Sequence, residues 1–176
     1  YTVTDAVGNK TEVIRNVTVA DTLSPVLTLV GDADITVEAG SSYNDGGITA
    51  IDSFEGDLIS KIVITGTVDT SKLGSYNLTF DVTDTAGNKA VQVTRKVTVA
   101  DNTAPVITLT GNPALDIEAG TQYIDAGASA ADSFEGDLTA KIATVSSVDT
   151  AKTGSYSVSY NVSDASGNAA TEVIRT

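Results

Sequence analysis

The sequence predicts an all-β protein: a tandem array of small Greek-key β-sandwiches, each of about seven strands. Two observations support this. Asp52-Ser53-Phe54-Glu55-Gly56-Asp57-Leu58 returns letter for letter as Asp132-Ser133-Phe134-Glu135-Gly136-Asp137-Leu138, and Pro25 and Gly74 recur as Pro105 and Gly154, all at an offset of 80 residues (132 − 52). A fixed period divides a chain into repeating supersecondary units and must be read before any single segment. Within each period, short stretches alternate apolar and polar residues between turn signals about 8 to 12 residues apart, and none carries a sustained helical period.

Residues 1–20 read as the terminal hairpin of a preceding repeat, because Tyr1-Thr2-Val3-Thr4-Asp5 lines up with Phe80–Asp84 and Tyr160–Asp164. Each of these stretches runs into a Gly-Asn turn (Gly8-Asn9, Gly87-Asn88, Gly167-Asn168), where glycine supplies positive φ at little cost. Residues 21–100 and 101–176 are then two full repeats, the second stopping inside its last strand. The junctions Ala20–Pro25 and Ala100–Pro105 are short, which predicts a fairly stiff rod. Proline at their ends fixes φ and removes a donor, as suits the start of an edge strand.

In order, the predicted strands of the first repeat are Val26–Val30, Ile35–Glu38, Tyr43–Ala50 with a glycine bulge, Lys61–Thr65, Gly74–Phe80 and Val91–Val99. The acidic heptad is the loop between the third and fourth of these. A chain that opens on a hairpin and closes within a strand reads as cut from a longer array. Exchange of strands between neighbours is the second reading, and in either case a final sheet edge would be a pairing hazard.

Composition narrows the function. The formal charge is −13, from 23 acidic and 10 basic residues, with a pI near 4.1. Nucleic acid is excluded as a partner, since a phosphate backbone requires a basic face. The same acidity suits divalent cations and salty surroundings. No apolar run approaches the roughly 20 residues that span a bilayer. Cysteine and histidine are both absent, so disulfides, thiolate nucleophiles and imidazole acid–base chemistry are excluded. Glu55 and Asp57 could imitate a glycosidase pair, but two carboxylates two residues apart on one loop, with no tryptophan for a sugar platform, read as ligands or caps. The chain is therefore expected to be non-catalytic.

The succession Asp-x-x-x-Pro-Val, Glu-Ala-Gly, Tyr-x-Asp-x-Gly, Asp-x-x-Glu-Gly-Asp-Leu, Gly-Ser-Tyr and Asp-x-x-Gly-Asn resembles bacterial Ig-like surface-protein repeats, the cadherin-like and hyalin-repeat-like modules of adhesins and extracellular filaments. It covers Asp21 to Arg175. The linker Asp101-Asn102-Thr103-Ala104-Pro105 is also similar to a cadherin junction, without its second Asp-Asn. The resemblance implies a secreted or surface-attached array, an Ig-like fold and no enzymatic activity.

In an Ig-like sandwich the loop after the second strand and the final hairpin turn lie at the end where the chain enters. That placement gathers Asp52, Glu55 and Asp57 with Asp84 and the linker residue Asp21. In the next repeat it gathers Asp132, Glu135 and Asp137 with Asp164 and Asp101. Crowded carboxylates repel one another by about 1 kcal/mol or more per close pair, and they are the hard oxygens that calcium takes. Calcium at the interdomain junctions is the resulting expectation. The competing reading makes the same aspartates turn formers that bond local amides. Phe54 and Phe134 are expected to plug the end of the core, with packing against a preceding domain as the alternative.

The partners expected are neighbouring Ig-like repeats of the same array, with self-assembly into fibres open. A runner-up is a carbohydrate- or protein-binding accessory module, which calls for an exposed aromatic patch. Tyr43, Tyr76, Tyr123 and Tyr156 recur at the offset of the repeat, which suits framework positions better. Lys10 and Lys89 follow the Gly-Asn turn but Ala169 replaces them in the last repeat, so they read as exposed turn lysines and not as isopeptide partners. The Asn-x-Thr/Ser triplets at Asn9, Asn16, Asn77 and Asn161 read as accidents of a Thr- and Asn-rich chain.

Overall fold

The computed structural model describes residues 1–176 and is all-β. A lone hairpin opens the chain, β1 (Thr2–Thr4) with β2 (Lys10–Glu12), registered from Thr2↔Glu12 to Thr4↔Lys10. Its turn is closed by Asp5, whose Oδ1 accepts from the Val7 and Asn9 amides.

The first repeat supplies β3 (Val26–Leu29), β4 (Asp34–Glu38), β5 (Ile48–Asp52), β6 (Gly56–Asp57), β7 (Val63–Thr65), β8 (Gly74–Asp81) and β9 (Val93–Ala100). They form a three-stranded sheet, β3-β5-β6, and a four-stranded sheet, β4-β9-β8-β7. Seven strands in two sheets make the Ig-like sandwich. The strands alternate because one face of each sheet is wet: β5 reads buried at Ile48, Ala50 and Asp52 and exposed between them. β4 differs in running parallel to β9, registered from Asp34↔Lys96 to Glu38↔Ala100.

The second repeat supplies β10 (Val106–Leu109), β11 (Ala128–Asp132), β12 (Gly136–Asp137), β13 (Ala143–Ser146), β14 (Val158–Asn161) and β15 (Val173–Arg175), in the sheets β10-β11-β12 and β13-β14-β15. Its core unites Ile107 and Ala130 of one sheet with Val158 and Tyr160 of the other, closed by Leu138 and Val162. By contacts the chain divides into two compact units, Tyr1–Gly31 with Gly46–Thr65 and Thr79–Thr94, and Asp32–Asp45 with Gly66–Leu78 and Arg95–Thr176.

Three expectations are corrected. Tyr43–Gly47 is not strand, and the strand begins only at Ile48. Its side chains are used otherwise: the Tyr43 hydroxyl donates to Asp45 at 2.6 Å, and Asp45 pairs with the buried Arg95 at 2.6 Å. Lys61 belongs to a 3-10 turn, residues 59–61, so the following strand starts at Val63. Phe54 does not plug the core, being 80% exposed. Leu58, buried, fills that end, as Leu138 does in the second repeat.

Candidate metal centre

The acidic heptad folds back on its own first residue. Asp52 ends β5 and is 2% exposed, and its Oδ1 accepts from the Phe54 amide at 2.7 Å and the Glu55 amide at 2.9 Å. That Asx turn is what reverses the chain into β6. It uses one carboxylate oxygen only. The other, Oδ2, is buried without a partner, and a buried polar atom left so is costly. Asp132 repeats the arrangement: it is 7% exposed, Oδ1 accepts from Phe134 and Glu135, and Oδ2 has no partner.

The fold gathers further carboxylates around Asp52, whereas Asp132 falls outside the group of the second repeat. Carboxylate oxygens of Asp21, Asp52 and Asp84 lie within 4.8 Å of one another. Asp21 comes from the linker, its Oδ1 accepting from Leu23 at 3.2 Å while its Oδ2 is also buried and unpartnered. Asp84 comes from the last hairpin and accepts from the Asn88 amide and side chain, both at 2.7 Å. Asn88 Nδ2 also donates to the Asp21 carbonyl at 3.3 Å, tying the hairpin turn to the linker.

In the second repeat the carboxylates within 4.8 Å of one another are Asp101, Glu135 and Asp164. Asn168 ties linker and turn as Asn88 does, donating to the Asp101 carbonyl at 3.0 Å and to Asp164 at 2.7 Å.

Not every residue of the acidic loop joins the cluster. Glu55 sits at its edge, accepting from the Thr85 amide at 2.6 Å and pairing with Lys61 at 2.7 Å; Glu135 pairs with Lys141 at 3.0 Å. Asp57 and Asp137 stand apart. They are exposed and accept from the Ile59 and Thr139 amides, at 2.8 and 2.9 Å, at the start of the 3-10 turns.

The electrostatics separate the linker aspartate from the hairpin one. Burial pushes the Asp101 carboxyl above its ordinary value, and the charges of Asp132, Asp164 and Glu38 add to that. Burial also pushes Asp84 and Asp164 up, but the hydrogen bonds from Asn88 and Asn168 outweigh it and leave both below the ordinary value. The donor set is oxygen only, drawn from carboxylates on three separate segments, and it fits a hard cation of the calcium type.

Sequence reasoning missed three residue types here. Asn88 and Asn168 read as turn formers, although their side chains span turn and linker. Glu38, the first residue of Glu-Ala-Gly, accepts from the Asn102 amide at 2.9 Å, the Asn102 side chain at 3.1 Å and the Thr103 hydroxyl at 2.8 Å. Arg95 and Arg175 are buried on Asp45 and Asp125. Their signal was present in the recurrence of arginine at 95 and 175.

Fold and site together define a class: tandem Ig-like sandwiches with a carboxylate cluster where linker meets repeat. The chain belongs to the bacterial surface protein Ig-like domain family, whose model matches residues 27–99 and 107–176. It is 31% identical, over 96% of its length, to an uncharacterized 81.3 kDa protein of Acholeplasma phage L2. It is 34% identical, over 78% of its length, to the pesticidal crystal protein Cry22Aa of Bacillus thuringiensis. The chain spans 24% and 20% of those two proteins. Among solved structures, a lipoprotein of Bacteroides thetaiotaomicron is 23% identical with a TM-score of 0.40, the match covering 80% of this chain and 61% of that one. No helix is long and apolar enough to cross a membrane.

Proposed function

We propose that the chain is a non-catalytic structural segment of an extracellular array on the bacterial surface, an adhesin stalk or filament, stiffened by calcium where each linker enters its repeat. The observation that carries this reading is Asp52 Oδ2, a buried carboxylate oxygen without a partner on a residue whose carboxylate groups with those of Asp21 and Asp84. Asp132 Oδ2 is buried and unpartnered in the same way, and the charge of Asp132 acts on Asp101. Asp21, Asp52 and Asp84 would hold the ion in the first repeat, with Glu55 at the edge. Asp101, Asp132, Glu135 and Asp164 would hold it in the second. Asp57 and Asp137 would add charge and not ligands, since each already holds an amide at its 3-10 turn.

Calcium chemistry suits the position. It takes about six to eight oxygens in a flexible shell, so carboxylates, carbonyls and water can share it. Because Asp21 and Asp101 are linker residues, an ion held there ties the linker to the repeat that follows. The tyrosines support a framework role over a ligand surface: Tyr43, Tyr76, Tyr123 and Tyr156 are half-buried, and each hydroxyl donates to a residue within four positions.

The test is thermal unfolding in excess EGTA and again in millimolar calcium, with magnesium as control. A ligand at 100 times its Kd adds about 2.7 kcal/mol per site, which moves the midpoint of a domain this small by roughly 10 °C or more. The rise is expected to be calcium-specific and to disappear when Asp52→Asn and Asp132→Asn are combined. Equal midpoints in calcium and EGTA would return these carboxylates to turn chemistry.

A further inference from the structure

β4 ends at Glu38, and the turn that follows it reaches the linker. Ser41 closes that turn, its amide and hydroxyl donating to the Glu38 carbonyl at 3.2 and 2.6 Å, while the Gly40 amide donates to the Thr70 carbonyl at 2.8 Å. The second repeat closes its matching turn in the same way, with Thr121 on Glu118 and Gly120 on Thr150. The turn is therefore built by its own repeat and does not need the linker to form it.

Two arms of the second carboxylate group rest on this turn. The first is the linker. Glu38 Oε1 accepts from the Asn102 amide at 2.9 Å and the Thr103 hydroxyl at 2.8 Å, and Oε2 accepts from the Asn102 side chain at 3.1 Å. Those donors directly follow Asp101, whose carboxylate groups with those of Glu135 and Asp164 and whose Oδ1 accepts from the Thr103 amide at 3.3 Å. The second arm is the acidic loop. Phe134 stands between Asp132 and Glu135, and its amide donates to Asp132 Oδ1 at 2.7 Å. Its half-buried ring lies against Gly40, since a Cβ added there would be 3.7 Å from it. Turn, linker and loop all fall within one compact unit. Glu38 is also among the charges that act on the Asp101 carboxyl.

We infer that the Glu38–Ser41 turn of the first repeat sets the calcium affinity of the second repeat's site, with Glu38 as a positioning residue for Asp101 and Gly40 as the seat of Phe134. The inference rests on the reading of that site as a calcium centre. Glu38 is not itself a ligand, because both of its oxygens already hold donors of the linker. Its effect is on assembly. An ion here needs carboxylates from hairpin, linker and loop at once. Asn168 fixes the hairpin to the linker, donating to Asp164 and to the Asp101 carbonyl. Glu38 and Gly40 hold linker and loop from the other side. Segments ordered in advance lose less conformational freedom when the ion binds, so affinity rises. Such coupling is reciprocal: a turn that strengthens calcium binding is fastened more firmly, by the same factor, when calcium is bound. Calcium thereby acts on both sides of the linker, through its ligands on the repeat that follows and through Glu38 on the repeat that precedes.

The test is a calcium titration of the 176-residue chain in chelator-buffered solutions, followed site by site through amide resonances. Phe134 and Asn168 report the second site, Phe54 and Asn88 the first. In Glu38→Ala the second site is expected to weaken about tenfold, an ordinary size for such a coupling, while the first keeps its affinity. Glu38→Gln retains an acceptor for the Asn102 amide and the Thr103 hydroxyl, so it is expected to stay within about threefold of the native chain. Thr103→Val, which removes one side-chain donor and leaves the backbone bonds, should weaken the second site about threefold, as for the loss of one weak hydrogen bond. In the native chain calcium is also expected to slow hydrogen exchange at the Asn102 amide. A second site of equal affinity in the native, Glu38→Ala and Thr103→Val chains would overturn the inference and leave the calcium reading standing. Equal weakening of both sites would overturn it too, as general loosening. If neither set of resonances in the native chain responds to calcium, the calcium reading fails and the inference falls with it.

Discussion

Arg175 is 2% exposed, and a guanidinium that deep must be paired and hydrogen-bonded to persist as a charge. It pairs with Asp125, and its other nitrogens donate to the carbonyls of Asn112 at 3.1 Å and Gly127 at 3.1 Å. Asp125 in turn accepts from the hydroxyls of Tyr123 and Tyr160. Burial pushes the Asp125 carboxyl up, but the two tyrosine hydroxyls and the arginine charge outweigh it and leave it below its ordinary value. Removing one member of such a pair leaves the other buried and uncompensated. Arg175→Met is therefore expected to cost about 3 kcal/mol, the lower end for a buried pair because Asp125 keeps part of its surface in water. A fall in the urea midpoint at unchanged slope would measure it, and Asp125→Asn on top should return part of the loss. A midpoint that stays put would show that the pair contributes little beyond what the apolar methionine replaces.

At the scale of elements, alternation carried most of the fold. Val26–Leu29, Gly74–Asp81 and Val93–Ala100 lie where period-two patterning predicts them, because that pattern reports which face is buried. It does not report charges paired across long sequence separations, and Tyr43–Gly47 fails as a strand for that reason. The site was partly legible in the same way. The repeat marked Asp52 and Asp132, and the fold class put Asp21, Asp84, Asp101 and Asp164 near them. Asp57 was indistinguishable in sequence from Asp52, since only its position after β6 sends it to the 3-10 turn. The Glu38 contact was invisible because its partners, Asn102 and Thr103, are more than sixty residues away. This contact yields a prediction with a built-in control. Glu38→Ala removes three hydrogen bonds and is expected to lower the thermal midpoint in calcium and EGTA alike. Glu12→Ala, at an exposed position of β2, should leave the midpoint unchanged. Equal effects from the two substitutions would mean that Glu38 does not fasten the linker.

For the whole molecule the charge of −13 makes stability a function of pH, and the direction of each shift fixes the window. Glu38, held down by the amide of Asn102 and the hydroxyl of Thr103, lies below its ordinary value, as do Asp84, Asp125 and Asp164. Their contribution is fully present above the unfolded carboxylate range of about 4 and is lost as pH falls through the depressed values. Asp101 has the opposite sign: its raised carboxyl favours the fold while protonated, and that contribution disappears as pH rises through the raised value. At the alkaline end burial, and then the hydrogen bond to an aspartate, push Tyr43 and Tyr160 up to about 12. Their contribution is whole below the unfolded tyrosine value of about 10 and is lost as pH rises toward 12. In EGTA the thermal midpoint should therefore be highest between these two arms. Asp101→Asn separates the linker aspartate from the rest, because it keeps an acceptor for Thr103 while removing the charge. In EGTA at neutral pH it is expected to raise the midpoint, by relieving repulsion from Asp132 and Asp164. In calcium the same substitution should fall below the native chain, because the second site loses a ligand. That crossing of the two curves is specific to a carboxylate destabilising by itself and stabilising with a cation. A substitution that lowered the midpoint under both conditions would make Asp101 an ordinary turn residue.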